Sequence, residues 1–474
     1  MTAPGGISPQ ETVERALAAA RPGGCVVIAD ETSSANLRWA GNTLTTNGVS
    51  RSRQLTVVAI SRDGRDTRAG VVSRAGVRAD QIEDVVRAAG KAAAESSPAE
   101  DAQPLLAPGD GGRAGTGQIA WDDPVAGTGI GVFGSFSAAL GAAFDAAGAA
   151  GQRLYGFAEH SVTSTFVGTS AGLRLRHDQP AGTLEINAKS ADLARSAWAG
   201  QGTRDFTDVD VGALHADLAR RLEWAKRRVD LPPGRYETVL PPAAVADLLI
   251  YLYWSAGARD ALDGRTVFSK PGGGTRVGER LSGLPLTLRS DPAPPAAPGL
   301  GCAPFVIAHA STRTSSVFDN GLALQPTDWI SRGELAALIQ TRHSAGLTGL
   351  GATPAIGNLM LDGGGTASLD EMIAGTGRGL LLTCLWYIRE VDPQTLLLTG
   401  LTRDGIYLVE SGEVTAAVNN FRFNESPVGM LARTAEVGAT RPALSREWGD
   451  YFTRTAMPPL RVEGFNMSSV SQAS

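Results

Sequence analysis

The sequence predicts an α+β protein: an N-terminal α/β domain with antiparallel strands and flanking helices, then a C-terminal domain of mostly antiparallel β structure. Three observations carry that expectation. Apolar runs up to Ala75 alternate with turn dipeptides, alanine-rich stretches at helical spacing interleave further strand-like runs, and beyond Pro233 short apolar segments recur between glycines and prolines. A chain of 474 residues exceeds one compact core, so two domains are expected, 1–232 and 233–474.

The elements follow in order. Pro9 to Ala20 places Val13, Leu17 and Ala20 at helical spacing behind a Ser8-Pro9 start. Cys25–Asp30, Asn36–Gly41, Leu55–Ile60 and Arg68–Arg74 read as strands of a meander, with turn signals at Gly41-Asn42, Asn47-Gly48 and Asp63-Gly64. Ala79–Glu95 reads as a second helix, and 96–118, rich in proline, glycine and acidic residues, as an exposed loop that buries little. Small residues across 135–151 suit a helix packed closely on a sheet.

RLYGFAEH, VTSTFVGTS, LRLRHDQ and GTLEINAKS read as further strands, and Asp210–Val229 as a helix with Leu214, Leu218, Leu222 and Ala225 on one face. Leu231-Pro232-Pro233-Gly234 ends that helix, because consecutive prolines exclude its continuation, and marks the domain junction. The second half opens with the strand YETVLPP and an apolar window from Ala243. It continues through LPLTLRSDP, TSSVFDNG, GLLLTCLWYI, TLLLTGL and GIYLVESGEV, the pattern of an antiparallel sheet or barrel-like domain.

Composition excludes some function classes. Apolar residues make up 43% and charged residues 19%, with a formal charge of −5, so the cationic excess that a polyanion partner requires is missing and no nucleic acid is expected. Cys25, Cys302 and Cys384 lie far apart, form no CxxC pair and build no disulfide framework. The first residues carry Glu11 and Glu14 and no apolar run of signal-peptide length, and the windows 243–254 and 380–388, the former interrupted by Asp247, fall short of a membrane span. A cytoplasmic protein with no membrane partner is the expectation.

The second-half segments carry a further signal in their order. YETVLPPAAVADLL, GRTVFS, the SDPAPP turn, FDNGLALQPT, TPAIGNLML, GLLLTCLWYIREVDPQT, GIYLVESGEV and PPLRVEGFNMS follow one another as the landmarks of the TldD/PmbA family do. The first-half stretch NLRWAGNTLTTNGVSRSRQLTVVAISRDGR is similar to the same family's N-terminal strands. Each piece is weakly specific, whereas their collinear order over most of the chain is not.

That resemblance implies two kinds of member. One holds zinc through a His-Glu-three-residue-His motif on a helix early in the C-terminal domain, completed by a cysteine near the C-terminus, with the glutamate activating a bound water. Here the matching positions fall at Leu249, Ile250 and Trp254, which carry no lone pair suited to zinc and no exchangeable proton for base chemistry. No cysteine follows Cys384. The chain therefore resembles the TldE/PmbA kind. The resemblance implies no metal and no catalytic residue on this chain, a zinc-bearing TldD-like subunit as partner in a heterodimer or higher assembly, and a peptide substrate.

Other constellations have plainer readings. The five histidines, His160, His177, His215, His309 and His343, show no pair at ligand spacing. Cys384 sits among apolar neighbours, where burial would raise its thiol pKa and remove nucleophilicity. The hairpin-like LTCLWYIREVDPQTLLLTGLTRDGIYLVE offers an exposed edge that an extended peptide can join through its backbone, with Arg389, Arg403 and Asp404 orienting the termini. Asn420, Arg422 and Asn424, interleaved with two phenylalanines, suit a cleft or partner surface. A stand-alone, metal-independent hydrolase using a serine or Cys384, and a peptide-binding regulatory module, are the competing functional expectations.

Overall fold

Long strands replace the pairs of short ones expected in the N-terminal half. The structure, a computed structural model, describes residues 7–64, 66–110, 121–403 and 405–472. Strands β1 (Cys25–Trp39), β2 (Leu44–Asp63), β3 (Asp66–Ala75), β4 (Gln152–Thr169), β5 (Arg174–Ser190) and β6 (Ser196–Thr203) form one antiparallel sheet in the order β3-β2-β1-β4-β5-β6. β1, β4 and β5 each absorb two segments that the sequence separates. The polar residues at the joints pair across strands rather than turning, as Thr32 and Thr163 do through hydroxyls 2.9 Å apart. Asn47-Gly48 likewise is no turn: it lies in β2 opposite Leu37 and Asn36. Gly41 and Asn42 do turn, both at positive φ, and the Asn42 amide group is fixed by Gln152 O at 2.9 Å and Leu154 N at 2.6 Å.

Period-two alternation gives this sheet two different faces. Cys25, Val27, Ala29, Ala35, Leu37 and Trp39 of β1 face the helices α1 (Pro9–Ala18), α2 (Ile82–Glu95), α3 (Gly134–Ala149) and α4 (Val211–Trp224). Val26 and Ile28 face the other way, joining Val58, Ile60 and Val167 against Phe305, Val317 and Phe318 of the second half. The 96–110 stretch buries more than expected, since Leu106 is buried and Leu105 packs on this last cluster; 111–118 of the expected loop lies outside the described residues. Together with the turn at Ile130–Phe133, α3 is long and apolar enough to cross a membrane by length and composition, and its Phe136, Leu140, Ala143 and Ala147 are buried on the sheet.

α2 approaches β3 so closely that a Cβ on Gly70 would lie 2.1 Å from Ala93 N and 2.4 Å from Ala89 O. Gly70→Ala is therefore expected to cost about 2–3 kcal/mol by forcing helix and strand apart. A urea midpoint equal to that of the parent protein would refute the contact.

In the second half, α4 ends sooner than the sequence suggests. Residues expected to continue it form β7 (Arg228–Val229), which pairs with a C-terminal strand, and the Asn419 carboxamide accepts from Leu231 N at 2.6 Å. The main sheet runs β14-β15-β18-β22-β8-β13-β16-β17-β7, with β19 also on β22. Its strands are β8 (Gly234–Leu240), β13 (Arg378–Leu382), β14 (Leu385–Asp392), β15 (Leu397–Thr402), β16 (Ile406–Glu410), β17 (Glu413–Val418), β18 (Phe421–Glu425), β19 (Thr434–Val437) and β22 (Leu460–Val470).

A smaller sheet, β11-β10-β9-β12-β21-β20, comprises β9 (Thr287–Ser290), β10 (Thr327–Ser331), β11 (Glu334–Leu335), β12 (Leu359–Asp362), β20 (Arg441–Ala443) and β21 (Thr455–Met457). Pairing is mostly antiparallel, with parallel contacts at β8–β13, β7–β17 and β12–β21. The run GLLLTCLWYI is two strands rather than one, β13 and β14, which are not neighbours. TSSVFDNG is a 3₁₀ turn, Val317–Asp319, capped by the Ser316 side chain. Helix α5 (Pro242–Trp254) lies in the core shared by these sheets.

Candidate functional site

α5 starts at Pro242, whose fixed φ suits a first helical turn, and is apolar all round except at Asp247. A helix of that kind is buried on every side, and Leu249 and Ile250 are both 0% exposed within the main core cluster. Trp254, at the last turn, reaches the surface and packs edge-on against Trp448 at 5.3 Å and Phe452 at 6.4 Å, while Tyr251 lies 5.7 Å from Trp448. Trp448 Nε1 donates to Asp247 O at 2.8 Å. The 445–452 segment thus closes over α5 as an aromatic cover.

Zinc does not fit these positions. Hydrocarbon and indole stand at Leu249, Ile250 and Trp254, and among the described residues no three His, Cys, Asp or Glu side chains come together as a metal site. The histidines are held by local partners instead: His160 sits between Thr128 Oγ1 at 2.8 Å and Arg204 O at 2.7 Å, and His215 meets Gln152 at 3.2 Å. His343 lies 3.4 Å from Arg259.

The ionisable groups near α5 were not picked out by motif. Asp247 is fully buried; it accepts from Ser445 Oγ and from Glu447 N at 2.9 Å, and its Oδ2 has no hydrogen-bond partner. Burial pushes its carboxyl up to about 7, against the opposing pull of those two donors. Its one signal in the sequence was that it interrupts an otherwise apolar helix. Glu447, next to this pair, accepts from Tyr387 N at 3.0 Å, Ile388 N at 3.2 Å and Arg389 Nη1 at 3.2 Å.

β14 is an edge strand, as a peptide-joining surface requires. Two of its edge donors are already taken by Glu447, and the strand is irregular there, with Tyr387 at φ 51 and a register shift between Trp386 and Arg389. Of the residues singled out from sequence, Arg389 lies opposite Thr399, which lies opposite Asn424; Arg422 Nη1 approaches Thr399 Oγ1 at 3.4 Å. Arg389, Arg422 and Asn424 therefore share one sheet face. Asn420 O accepts from Ser471 N at 2.8 Å, and Asn424 O from Asn466 Nδ2 at 3.0 Å, so these two also tie β18 to the C-terminal strand.

Arg403 stands apart from that group, in a cleft of about 410 Å³ between the halves that is also lined by Lys189, Trp198, Cys384, Trp386 and Arg446. Asp404 lies outside the described residues. Arg446 stacks over Trp386 at 4.1 Å and Trp198 at 5.1 Å and pairs with Glu185 at 2.9 Å, an arrangement suited to holding flat side chains or extended backbone. Cys384 is buried in the wall of this cleft.

Residues 233–469 match the family described as PmbA/TldA metallopeptidase C-terminal domain. The whole chain is similar to TldE from Thermococcus kodakarensis, with TM-score 0.77 and 16% identity over 96% of this chain and 99% of that one. It is also similar to a candidate modulator of a DNA gyrase from Thermotoga maritima, with TM-score 0.75 and 16% identity over 97% of this chain and 100% of that one. A protein of the same description from Bacteroides thetaiotaomicron gives TM-score 0.73 and 14% identity over 98% of both chains. No curated protein matches the sequence.

Proposed function

Because this chain belongs to the TldD/PmbA family, we propose that it is a zinc-less subunit of a TldD/TldE-type peptidase complex. In this reading it pairs with a zinc-bearing relative in the cytoplasm and helps wall the chamber in which peptides are processed. What supports it is the burial of Leu249 and Ile250 at the positions where the zinc-binding kind carries its first histidine and its glutamate. Metal-activated water needs ligands and a base on that helix, and these side chains provide neither.

The remaining surfaces suit a supporting role. Aromatic cover over α5, the stacked Arg446 and the partly occupied β14 edge offer contact area and hydrogen-bonding groups.

Purified alone, the protein is expected to hold no stoichiometric zinc and to cleave no unfolded peptide; mixed with a zinc-bearing relative it should copurify and raise that relative's peptidase rate at least tenfold. Metal analysis finding one tightly held zinc per chain, or cleavage by the isolated chain that survives chelation, would sink this reading.

A further inference from the structure

A second cleft between the halves, of about 350 Å³, is lined by none of Trp254, Trp448 and Phe452. Its walls are the β4 and β5 residues Thr163, Thr165 and His177 on one side and Phe305, Leu324 and Arg454 of the second half on the other. Arg454 is half-buried there, and its only hydrogen bond among the described residues runs from Nε to Gly357 O at 3.1 Å. Among the described residues no carboxylate stands within ion-pairing distance of it. A desolvated cation is ordinarily paired, since burial without a counter-charge is costly.

The neighbouring groups leave that charge uncompensated. Asp319 is engaged by Arg342, through Nε at 2.7 Å and the backbone N at 3.1 Å. Asp178 pairs with Arg176 at 2.9 Å, and Asp291 lies 3.5 Å from Arg289 and accepts from Ala293 N at 2.9 Å. Burial pushes the Cys302 thiol pKa up and the His177 pKa down, both away from the charged form, and His177 lies 3.1 Å from Gln179. Desolvation also holds the Arg454 guanidinium below its ordinary range. A ligand anion would restore the missing partner.

We propose that this cleft binds the carboxylate of a small ligand, with Arg454 as the charged anchor and Phe305 and Leu324 receiving an apolar group attached to it. Its volume admits a group the size of one or two amino-acid residues, and a guanidinium matches a carboxylate bidentately. The terminal carboxylate of a short peptide meets all three conditions; that choice of source rests on the peptide-processing reading above, whereas carboxylate recognition itself does not.

The test is titration calorimetry on the purified full chain with acetyl-leucyl-leucine, its C-terminal amide, and hexanoate. The free-acid peptide is expected to bind at least tenfold more tightly than the amide, and Arg454→Gln to lose at least tenfold in affinity for the acid with Arg454→Lys recovering part of it. Should Arg454→Gln fail to fold, the comparison of acid with amide on the parent protein still decides the matter. Hexanoate binding as tightly as the peptide acid would keep the carboxylate site and assign it to free carboxylic acids. Equal binding of acid and amide, no binding of any carboxylate, or an Arg454→Gln variant that binds like the parent would overturn the proposal. None of these outcomes touches the zinc-less subunit reading, whose test is activity gained with a zinc-bearing relative.

Discussion

Ile250→Glu is expected to unfold this protein or lower its stability by about 4 kcal/mol or more, because the new carboxylate would sit in a fully buried position inside the main apolar cluster. The shift in thermal midpoint should be on the order of 10 °C. Ile250→Val at the same place removes one methylene and is expected to cost only about 1 kcal/mol. The contrast isolates charge from packing. Rebuilding the full motif as Leu249→His, Ile250→Glu and Trp254→His should fare no better, since the helix face presented to the core is hydrocarbon on every side and Trp448 and Phe452 close its last turn. A triple variant that folds and takes up zinc would show that positions 249 and 250 reach an open chamber, and the burial described for α5 would be wrong.

Asp247→Asn is expected to become progressively more stable relative to the parent protein as pH rises. Burial raises the folded carboxyl to about 7 from the 3.8 ordinary for an aspartate. In the unfolded chain the group ionises first, so the parent has its full stability at this site when the carboxyl is neutral in both states and loses it as pH rises towards and through about 7. The loss amounts to about 4 kcal/mol between roughly pH 4 and pH 8. Asparagine does not titrate, and its carbonyl can still accept from Ser445 Oγ and Glu447 N. Its amide N–H₂ would replace an oxygen that has no partner, so near pH 4 the variant should be the weaker by about 1–2 kcal/mol. Urea midpoints of both proteins across that range should therefore cross. A constant difference at all pH values would mean that Asp247 ionises normally in the folded state.

Much of the fold was legible because period and turn chemistry are local. Val13 and Leu17 marked α1, the 79–95 pattern marked α2, and Pro232-Pro233 marked the start of β8 but not the end of α4, which comes earlier, at Trp224. Misreadings arose where polar residues were taken for breaks. Thr32, Ser33 and Ser34 in β1, and Asn47-Gly48 in β2, interrupt an apolar run yet continue a strand, because their partners across the ladder satisfy them. TSSVFDNG was misread for the opposite reason: its apolar Val317 and Phe318 are buried from a single tight turn, stabilised by Asn320, which bridges Val317 O and Ala308 N, and by Ser316, whose hydroxyl also reaches Asp101 far away in sequence.

The site was legible only as a loss. Three side chains that cannot bind metal stood out against the family pattern, and the structure places two of them in the core. Asp247, Glu447, Arg446 and Arg454 carried no signal of comparable strength, because what distinguishes each is its set of neighbours: a missing partner for Asp247 Oδ2, backbone donors gathered by Glu447, two indoles around Arg446, and, among the described residues, no counter-charge for Arg454. A lone arginine in a sequence reads as surface charge until the carboxylates near it are seen to be committed elsewhere.

Val26, Ile28, Val58 and Val167 on one side and Phe305, Val317 and Phe318 on the other make a buried apolar seam through which the first sheet is fastened to the second half. Opening that seam would expose several large apolar side chains at once, at a cost of about 1.5–3 kcal/mol for each. The socket beside it, between Thr165 and Arg454, is consequently of fixed width rather than a jaw that shuts on its guest, and whatever enters is selected by size before it is selected by charge.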